Sequence, residues 1–283
     1  MLNRFTSIPS QAVLTDTLRR GKNRRSIASK ILVQICAKVG GCPWAFQRIP
    51  FSQSPTMICG LDLYHKKGRA SYLAFVASGD QHFAQYFSYV RRCGTTNQEA
   101  VESLEAIMEE ALKDFQARHN IFPMNVIVYR DGVSESQEDK MAASEIEQME
   151  SAFKKVPTST PIKFAYISVN KRIMTRLFTK ERDQFKSPPQ GLIVDKDIVR
   201  DDPIKQEFYL VSQAAKRGVP LPTKYVIVAN TLEYTLKDIE LLTFRLCFLY
   251  YNVTGAISEP APIRYAHRLS NMIGEAPESY SPN

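Results

Sequence analysis

Two aspartates stand where apolar strands would ordinarily hold none. Asp62 lies inside the run MICGLDLY (57–64), and Asp131 follows the apolar run VIVY with only Arg130 between. A carboxylate in such a setting is costly to desolvate unless it is paired, hydrogen-bonded or bound to a metal. Two of them on neighbouring strands can converge on Mg²⁺, a hard cation that takes oxygen ligands. A pair of such ions about 4 Å apart can activate a water and stabilise the leaving oxygen of a phosphodiester. The chemistry these positions point to is therefore phosphoryl transfer. Blander readings stand beside it. Asp131-Gly132 is also a turn dipeptide. Thr96-Asn97-Gln98-Glu99 spells a capping box, in which Glu99 serves only a helix start. His267, in the last helical stretch, could be a satisfied core histidine. Spacing alone does not group these four residues.

The elements that must position them can be read from hydrophobic periodicity. Runs at 57–64, 70–78 and 82–90, broken by glycine turns, predict three consecutive strands. Helical spacing of Val101, Leu104, Met108, Leu112 and Phe115 predicts a helix from Asn97 to His119. A strand at 125–132, a long polar helix at 137–155 and a strand at 163–169 follow. Then come a charged, proline-bearing loop at 179–190 and strands at 191–195, 207–211 and 224–229. A helix from 236 to about 251 and a last helix opened by Pro262 close the chain. Strands alternating with helices after a three-strand meander predict a mixed α/β sheet with helices on both faces. Upstream, Ile27, Ile31, Ile35 and Val39 fall four apart, which predicts an amphipathic helix with Lys30, Gln34 and Lys38 on its polar face. Gly40-Gly41 ends it. The proline-bearing stretch 42–55 reads as a connection, placing a boundary between a unit at 1–50 and one at 51–283.

Composition bounds the class. The chain has 283 residues, 44% hydrophobic and 23% charged, an ordinary globular balance that excludes disorder for most of its length. No stretch reaches the roughly 20 apolar residues of a membrane helix, and the first residues lack the apolar core of a signal peptide, so a soluble intracellular protein is expected. Five scattered cysteines suit neither a disulfide framework nor a zinc site and are expected to be buried thiols. The first 50 residues hold nine basic side chains against Asp16 alone; the whole net charge of +8 sits there, and the remainder balances. Clustered basic residues on a neutral body point to a phosphate-bearing polyanion held at one end; for Arg19 to Arg25 a solvated face or a localisation signal reads equally well.

The strings GLDLYH (60–65), QEAVESL (98–104), YRDGVSESQ (129–137), NKRIMTRLF (170–178) and PAPIRYAHRL (260–269) occur in the order and spacing of the PIWI domain of Argonaute proteins. The chain resembles that family along essentially its whole length. ICAKVGGCPWAF (35–46) and GAISEPAP, following Asn252, resemble the Piwi clade more than the microRNA clade. The resemblance implies an RNase H-like PIWI domain at 51–283, preceded at 1–50 by the C-terminal part of a Rossmann-like MID domain. It implies guide-RNA-directed endonuclease activity in piRNA-type gene silencing, with Mg²⁺, or Mn²⁺ in its place, as cofactor. The family's Asp-Glu-Asp-His tetrad falls on Asp62, Glu99, Asp131 and His267. Asp62, Asp131 and His267 would be metal ligands, and Glu99 would position the attacking water. The cut would leave a 5′-phosphate and a 3′-hydroxyl. Specificity would come from base pairing with the guide, so the protein's own contacts would go mostly to backbone.

The same resemblance assigns the guide 5′-phosphate to Gln11, Gln34 and Lys38, with Gln34 standing where another clade has lysine. It assigns further guide phosphates to Lys171, Arg172 and Arg176. The partners implied are a 5′-phosphorylated small guide RNA, its complementary target RNA, and Tudor-type proteins that read methylated arginines in an N-terminal tail. Cytoplasmic residence is expected, with perinuclear granules or the nucleus as further locations. Against the family pattern, the chain starts within MID, lacks a PAZ lobe and ends in EAPESYSPN rather than an apolar aromatic tail, so it is expected to be a piece of a longer protein. Two rivals accompany this reading: a silencing module that binds small RNA and recruits partners without cutting, and another RNase H-like nuclease such as a transposase or resolvase.

Overall fold

The computed structural model describes residues 9–20, 23–65, 71–93, 97–132, 135–200, 205–215 and 218–275, without the side chains of 20, 97–103 and 135–139. Strands β1 (Thr56–Tyr64), β2 (Ser71–Ser78) and β3 (Tyr86–Cys93) form the expected antiparallel meander. Helix α1 (Thr15–Arg20) and helix α2 (Arg24–Lys38) precede it. The chain then crosses through α3 (Asn97–His119) to β4 (Asn125–Asp131), and through α4 (Glu135–Lys155) to β5 (Lys163–Asn170). These crossovers make β1, β4 and β5 parallel neighbours, as a helix returning the chain across a sheet requires. After a detached hairpin, β6 (Thr179–Glu181) and β7 (Gln184–Lys186), the strands β8 (Leu192–Val194), β9 (Gln206–Val211) and β10 (Thr223–Asn230) extend the far edge antiparallel. The eight-stranded order is β3-β2-β1-β4-β5-β10-β9-β8.

Side-chain alternation splits the core into two layers. Met57, Cys59 and Leu61 of β1 and Val126 and Val128 of β4 face the layer that holds Leu104, Met108 and Leu112 of α3 and Met149 and Phe153 of α4. Ile58, Ile127 and Tyr129 face the opposite layer, with α5 (Leu236–Leu246), α6 (Ala261–Gly274) and the segment carrying Ile49 and Phe51. Full burial of a large apolar side chain contributes about 1.5–3 kcal/mol, so these layers, not the polar contacts, set the positions of the strand ends. The stretch 42–55 is tied to the sheet: Trp44 and Phe46 pack on the second layer, and Trp44 Nε1 donates to the Phe248 carbonyl at 2.8 Å.

Several local differences from the sequence reading have physical causes. β3 begins at Tyr86 rather than His82, because Asp80 accepts from the backbone N–H groups of His82, Ala84 and Gln85 and folds 80–85 into a turn. The loop 179–190 contains the β6–β7 hairpin, whose Arg182 and Asp183 both take positive φ, 44° and 64°, as a tight two-residue turn demands. α5 stops at Leu246, where i→i+3 bonds from Cys247, Phe248 and Leu249 tighten the chain out of the α-helix. α2 forms where expected, but its apolar stripe is not buried: Leu32 is 65% and Val39 63% exposed, and the described residues supply no layer over them. Of the five cysteines, Cys59, Cys93 and Cys247 are buried, while Cys42 is exposed and Cys36 only half-buried; all are free thiols.

Candidate active site at the ends of two parallel strands

The parallel register pairs Leu61 with Arg130, which sets Asp62 and Asp131 side by side at the C-terminal ends of β1 and β4. Ligand-binding clefts of α/β sheets form at such strand ends. Alternation turns both aspartates toward α6 and turns Arg130, between Tyr129 and Asp131, the other way. α6 can lie this close because position 60 is glycine: a Cβ there would stand 2.3 Å from the backbone C and O of Pro262 and 2.7 Å from Ile263 N. The helix starts on Pro260 with Pro262 in its first turn, where a missing N–H costs nothing. One and a half turns on, His267 faces the two carboxylates, with Ser270 and Asn271 beside it at i+3 and i+4.

His267 Nδ1 lies 3.3 Å from Asp62 Oδ2 and 3.6 Å from Asp131 Oδ2. One ligand atom from each of the three residues falls within 4.8 Å of the others. Ser270 Oγ donates to Asp62 Oδ2 at 2.5 Å. Asn271 Nδ2 donates to the His267 carbonyl at 2.7 Å and lies 3.2 Å from Nε2, steadying the imidazole. His267 Nδ1 itself is buried and has no aligned hydrogen bond. A buried, unsatisfied nitrogen facing two carboxylate oxygens is a donor set that fits a divalent cation.

Electrostatics agree with the geometry. Burial pushes the Asp62 carboxyl up, but the close approach of His267, the hydrogen bond from Ser270 and the charges of His267 and Arg130 outweigh it, leaving the group below its ordinary value. The His267 imidazole is raised, chiefly by its approach to Asp62 and against the pull of burial. Burial lowers Lys171, yet Glu259 and Asp131 more than compensate and hold its ammonium above the usual range. Arg130 is 4% exposed and is matched by Glu145, whose two oxygens accept from its Nε at 3.1 and 3.2 Å. Tyr166 donates its hydroxyl to the same carboxylate, while Arg130 Nη1 donates to the Asp131 carbonyl at 2.8 Å. This buried pair braces the backbone that carries Asp131.

Of the tetrad positions, Asp62, Asp131 and His267 come together. Glu99 falls in the first turn of α3, and its side chain lies outside the described residues. Near the N-terminus, Gln11 Nε2 donates to Gln34 Oε1 at 3.0 Å, and Lys38 Nζ donates to the Ser10 carbonyl at 2.7 Å, so the three expected phosphate residues belong to one polar patch. Arg172 and Arg176 are exposed on an extended segment whose alternate residues Ile173, Thr175 and Leu177 turn inward. Lys171 instead reaches Asp131 Oδ2 at 2.6 Å and Glu259 Oε2 at 2.7 Å. The sequence reading missed Ser270, Asn271, Arg130, Glu145 and Glu259. Ser270 and Asn271 carried a usable signal, their helical spacing from His267; the others became visible only with burial.

Comparison with known proteins places this arrangement. A family model described as "Piwi domain" matches residues 1–277. Protein argonaute-3 of Drosophila melanogaster is 37% identical over 271 residues, covering 95% of this chain and 30% of that protein. The crystal structure of Drosophila Piwi superposes with a TM-score of 0.80 at 30% identity, over 95% of this chain and 36% of that one. A Kluyveromyces polysporus Argonaute solved with a guide RNA gives a TM-score of 0.82 at 20% identity, over 93% of this chain and 32% of that one. The chain spans about a third of the length of the relatives it matches. Its mixed sheet flanked by helices is the RNase H-like fold of Argonaute PIWI lobes. With the family model matched across nearly its whole length, the chain belongs to the Piwi domain family of Argonaute proteins.

Proposed function

We propose that this chain is the cleaving part of a guide-RNA-directed RNA endonuclease of piRNA-type silencing. The observation that carries the reading is the convergence of Asp62, Asp131 and His267 at the ends of β1 and β4. Asp62, Asp131 and His267 would hold Mg²⁺ or Mn²⁺. Such an ion, when bound, activates water and stabilises the charge that develops on the leaving oxygen of a phosphodiester. The chain's own part is to keep the site formed before substrate arrives. Ser270 fixes the Asp62 carboxylate, Asn271 steadies the His267 ring, and Arg130 with Glu145 braces the strand end beneath Asp131. Glu99, from the start of α3, is proposed to orient the attacking water. In-line attack of that water on phosphorus would break the bond to the 3′ oxygen, which leaves and is protonated to a 3′-hydroxyl, while the phosphate stays on the 5′ end of the other product.

The polar patch of Gln11, Gln34 and Lys38 is proposed to hold the guide 5′-phosphate, and exposed Arg172 and Arg176 to hold its backbone. These contacts carry no base identity, so target choice rests on pairing with the guide. The division into a MID-like unit at 1–50 and a PIWI unit at 51–283 belongs to the same proposal, as do target RNA and Tudor-type partners and a cytoplasmic, granular or nuclear residence.

The test is cleavage of a labelled target RNA by this chain with a complementary 5′-phosphorylated guide, in Mg²⁺ and in EDTA, beside Asp131→Ala. One guide-fixed, metal-dependent cut that Asp131→Ala abolishes while retaining RNA is the expected result. Retained guide binding with no cut by the unaltered chain would overturn the endonuclease reading in favour of a non-cleaving silencing module.

A further inference from the structure

Asp131 already meets a cation of the chain's own: its Oδ2, 3.6 Å from His267 Nδ1, accepts a hydrogen bond from Lys171 Nζ at 2.6 Å. The same ammonium lies 2.7 Å from Glu259 Oε2. Glu259 has no solvent exposure, and its other oxygen lies 2.7 Å from Arg264 Nε. Neither contact is well aligned as a hydrogen bond, so this buried carboxylate is held chiefly by the charge of its two cations. Fully buried ionised carboxylates are retained only when paired, and removing a partner is strongly destabilising. The arrangement ties Lys171 to two anions, with its directional bond on one and room for such a bond on the other.

Resting on the cation-site reading above, we propose that Lys171 is the site's internal cation and that Glu259 is its receiving counter-ion. Before a divalent ion enters, the ammonium neutralises Asp131 and keeps its carboxylate in place. With Asp131 engaged by an ion, Lys171 would be repelled from it and would settle fully on Glu259, already at contact distance, aligning the bond there. Three rotatable donors on a flexible four-carbon stem make lysine suited to such a transfer, and arginine's planar fork would not be. Lys171 and Glu259 are thus positioning residues, setting how readily the site accepts its ion. The location reinforces the assignment: Lys171 directly follows β5, and Glu259 directly precedes Pro260, the cap of the helix that carries His267.

The experiment is a Mn²⁺ titration of the whole chain without RNA, followed by the electron paramagnetic resonance of free Mn²⁺. It compares the parent with Lys171→Met, Glu259→Gln and the double variant, each checked for folding by circular dichroism. Lys171→Met is expected to tighten Mn²⁺ binding about tenfold, and Glu259→Gln to weaken it by a similar factor because the lysine then has nowhere to go. In the Lys171→Met background, Glu259→Gln is expected to change the Kd by less than about twofold, the non-additivity of residues that act through each other. Equal weakening by Glu259→Gln in both backgrounds would overturn the proposal, since Glu259 would then act only as a nearby negative charge. Should Glu259→Gln fail to fold, Glu259→Asp keeps the charge and shortens the reach. Weakened binding is expected from it, and an unchanged Kd would overturn the proposal. A parent chain that binds no Mn²⁺ would overturn the cation-site reading and the transfer together, which separates that failure from an additive cycle in a chain that does bind.

Discussion

Replacing Gly60 with alanine tests whether the close approach of α6 to β1 builds the site. The added methyl would stand 2.3 Å from Pro262 C and O and 2.7 Å from Ile263 N, all backbone atoms that no rotamer change can move aside. Ordinary contact for a Cβ begins at about 3.4 Å, so the start of α6 must retreat by about 1 Å. Overpacking of this kind costs about 1–3 kcal/mol, and at this chain length each kcal/mol lowers the Tm by about 2–4 °C. The functional effect should be larger than the structural one. His267 rides on the same helix, so a shift of about 1 Å would open its 3.3 Å approach to Asp62. Misplacement of that size at a reacting centre can cost roughly 100-fold in rate. Thermal melts and guided cleavage of the Gly60→Ala chain, assayed well below its Tm, separate the two effects. A folded variant with a modest Tm loss and cleavage reduced by about two orders of magnitude is expected. Unchanged cleavage would refute the claim that helix approach positions His267.

Two further outcomes follow from other parts of the molecule. Burial first and the Asp195 carboxylate second push Glu240 up to about 7, against the pull of Lys237, and its buried Oε1 has no partner. A carboxyl whose pKa is raised on folding binds its proton more tightly in the native state, so stability falls as pH climbs from the unfolded value of 4.5 through about 7. Glu240→Gln is uncharged throughout and should raise the Tm at pH 8 by a few degrees but hardly at pH 5; an equal gain at both would sink the assignment. Lys38→Glu should weaken 5′-phosphorylated RNA about tenfold or more, the scale of a charged hydrogen bond, and 5′-hydroxyl RNA much less. Fluorescence anisotropy reads this directly, and equal losses for both RNAs would remove Lys38 from the phosphate patch.

How much of this could be read from the chain depended on whether a feature is local. Strands β1, β2, β4, β5 and β10 were legible because uninterrupted burial on both faces leaves apolar runs bounded by turns, and α3 because its apolar positions repeat at helical spacing. Arg182-Asp183 concealed a hairpin, since both residues take a backbone conformation that glycine or asparagine usually signals. The helical pattern of α5 ran past Leu246 because the following turns bury Leu249, Tyr250 and Tyr251 on nearly the same face. In the site, Asp62 and Asp131 were visible as charges in apolar strands, while their grouping with His267 needed the family resemblance as well. Ser270 and Asn271 were within reach of helical spacing alone. Glu259 was not: a glutamate before Pro260 reads as a turn residue, and only the packed fold shows that its carboxylate is sealed between Lys171 and Arg264. Lys171 illustrates the same limit, its sequence context pointing to RNA phosphates while its ammonium in the fold lies on Asp131.

The measurement that bears most directly on the central claim is anomalous diffraction from crystals of this chain grown or soaked with Mn²⁺. A peak between Asp62, Asp131 and His267, in direct contact with carboxylate oxygens and lost in Asp131→Ala crystals, is the result the account requires. A fully occupied Mn²⁺ elsewhere, with these three side chains bare, would contradict it.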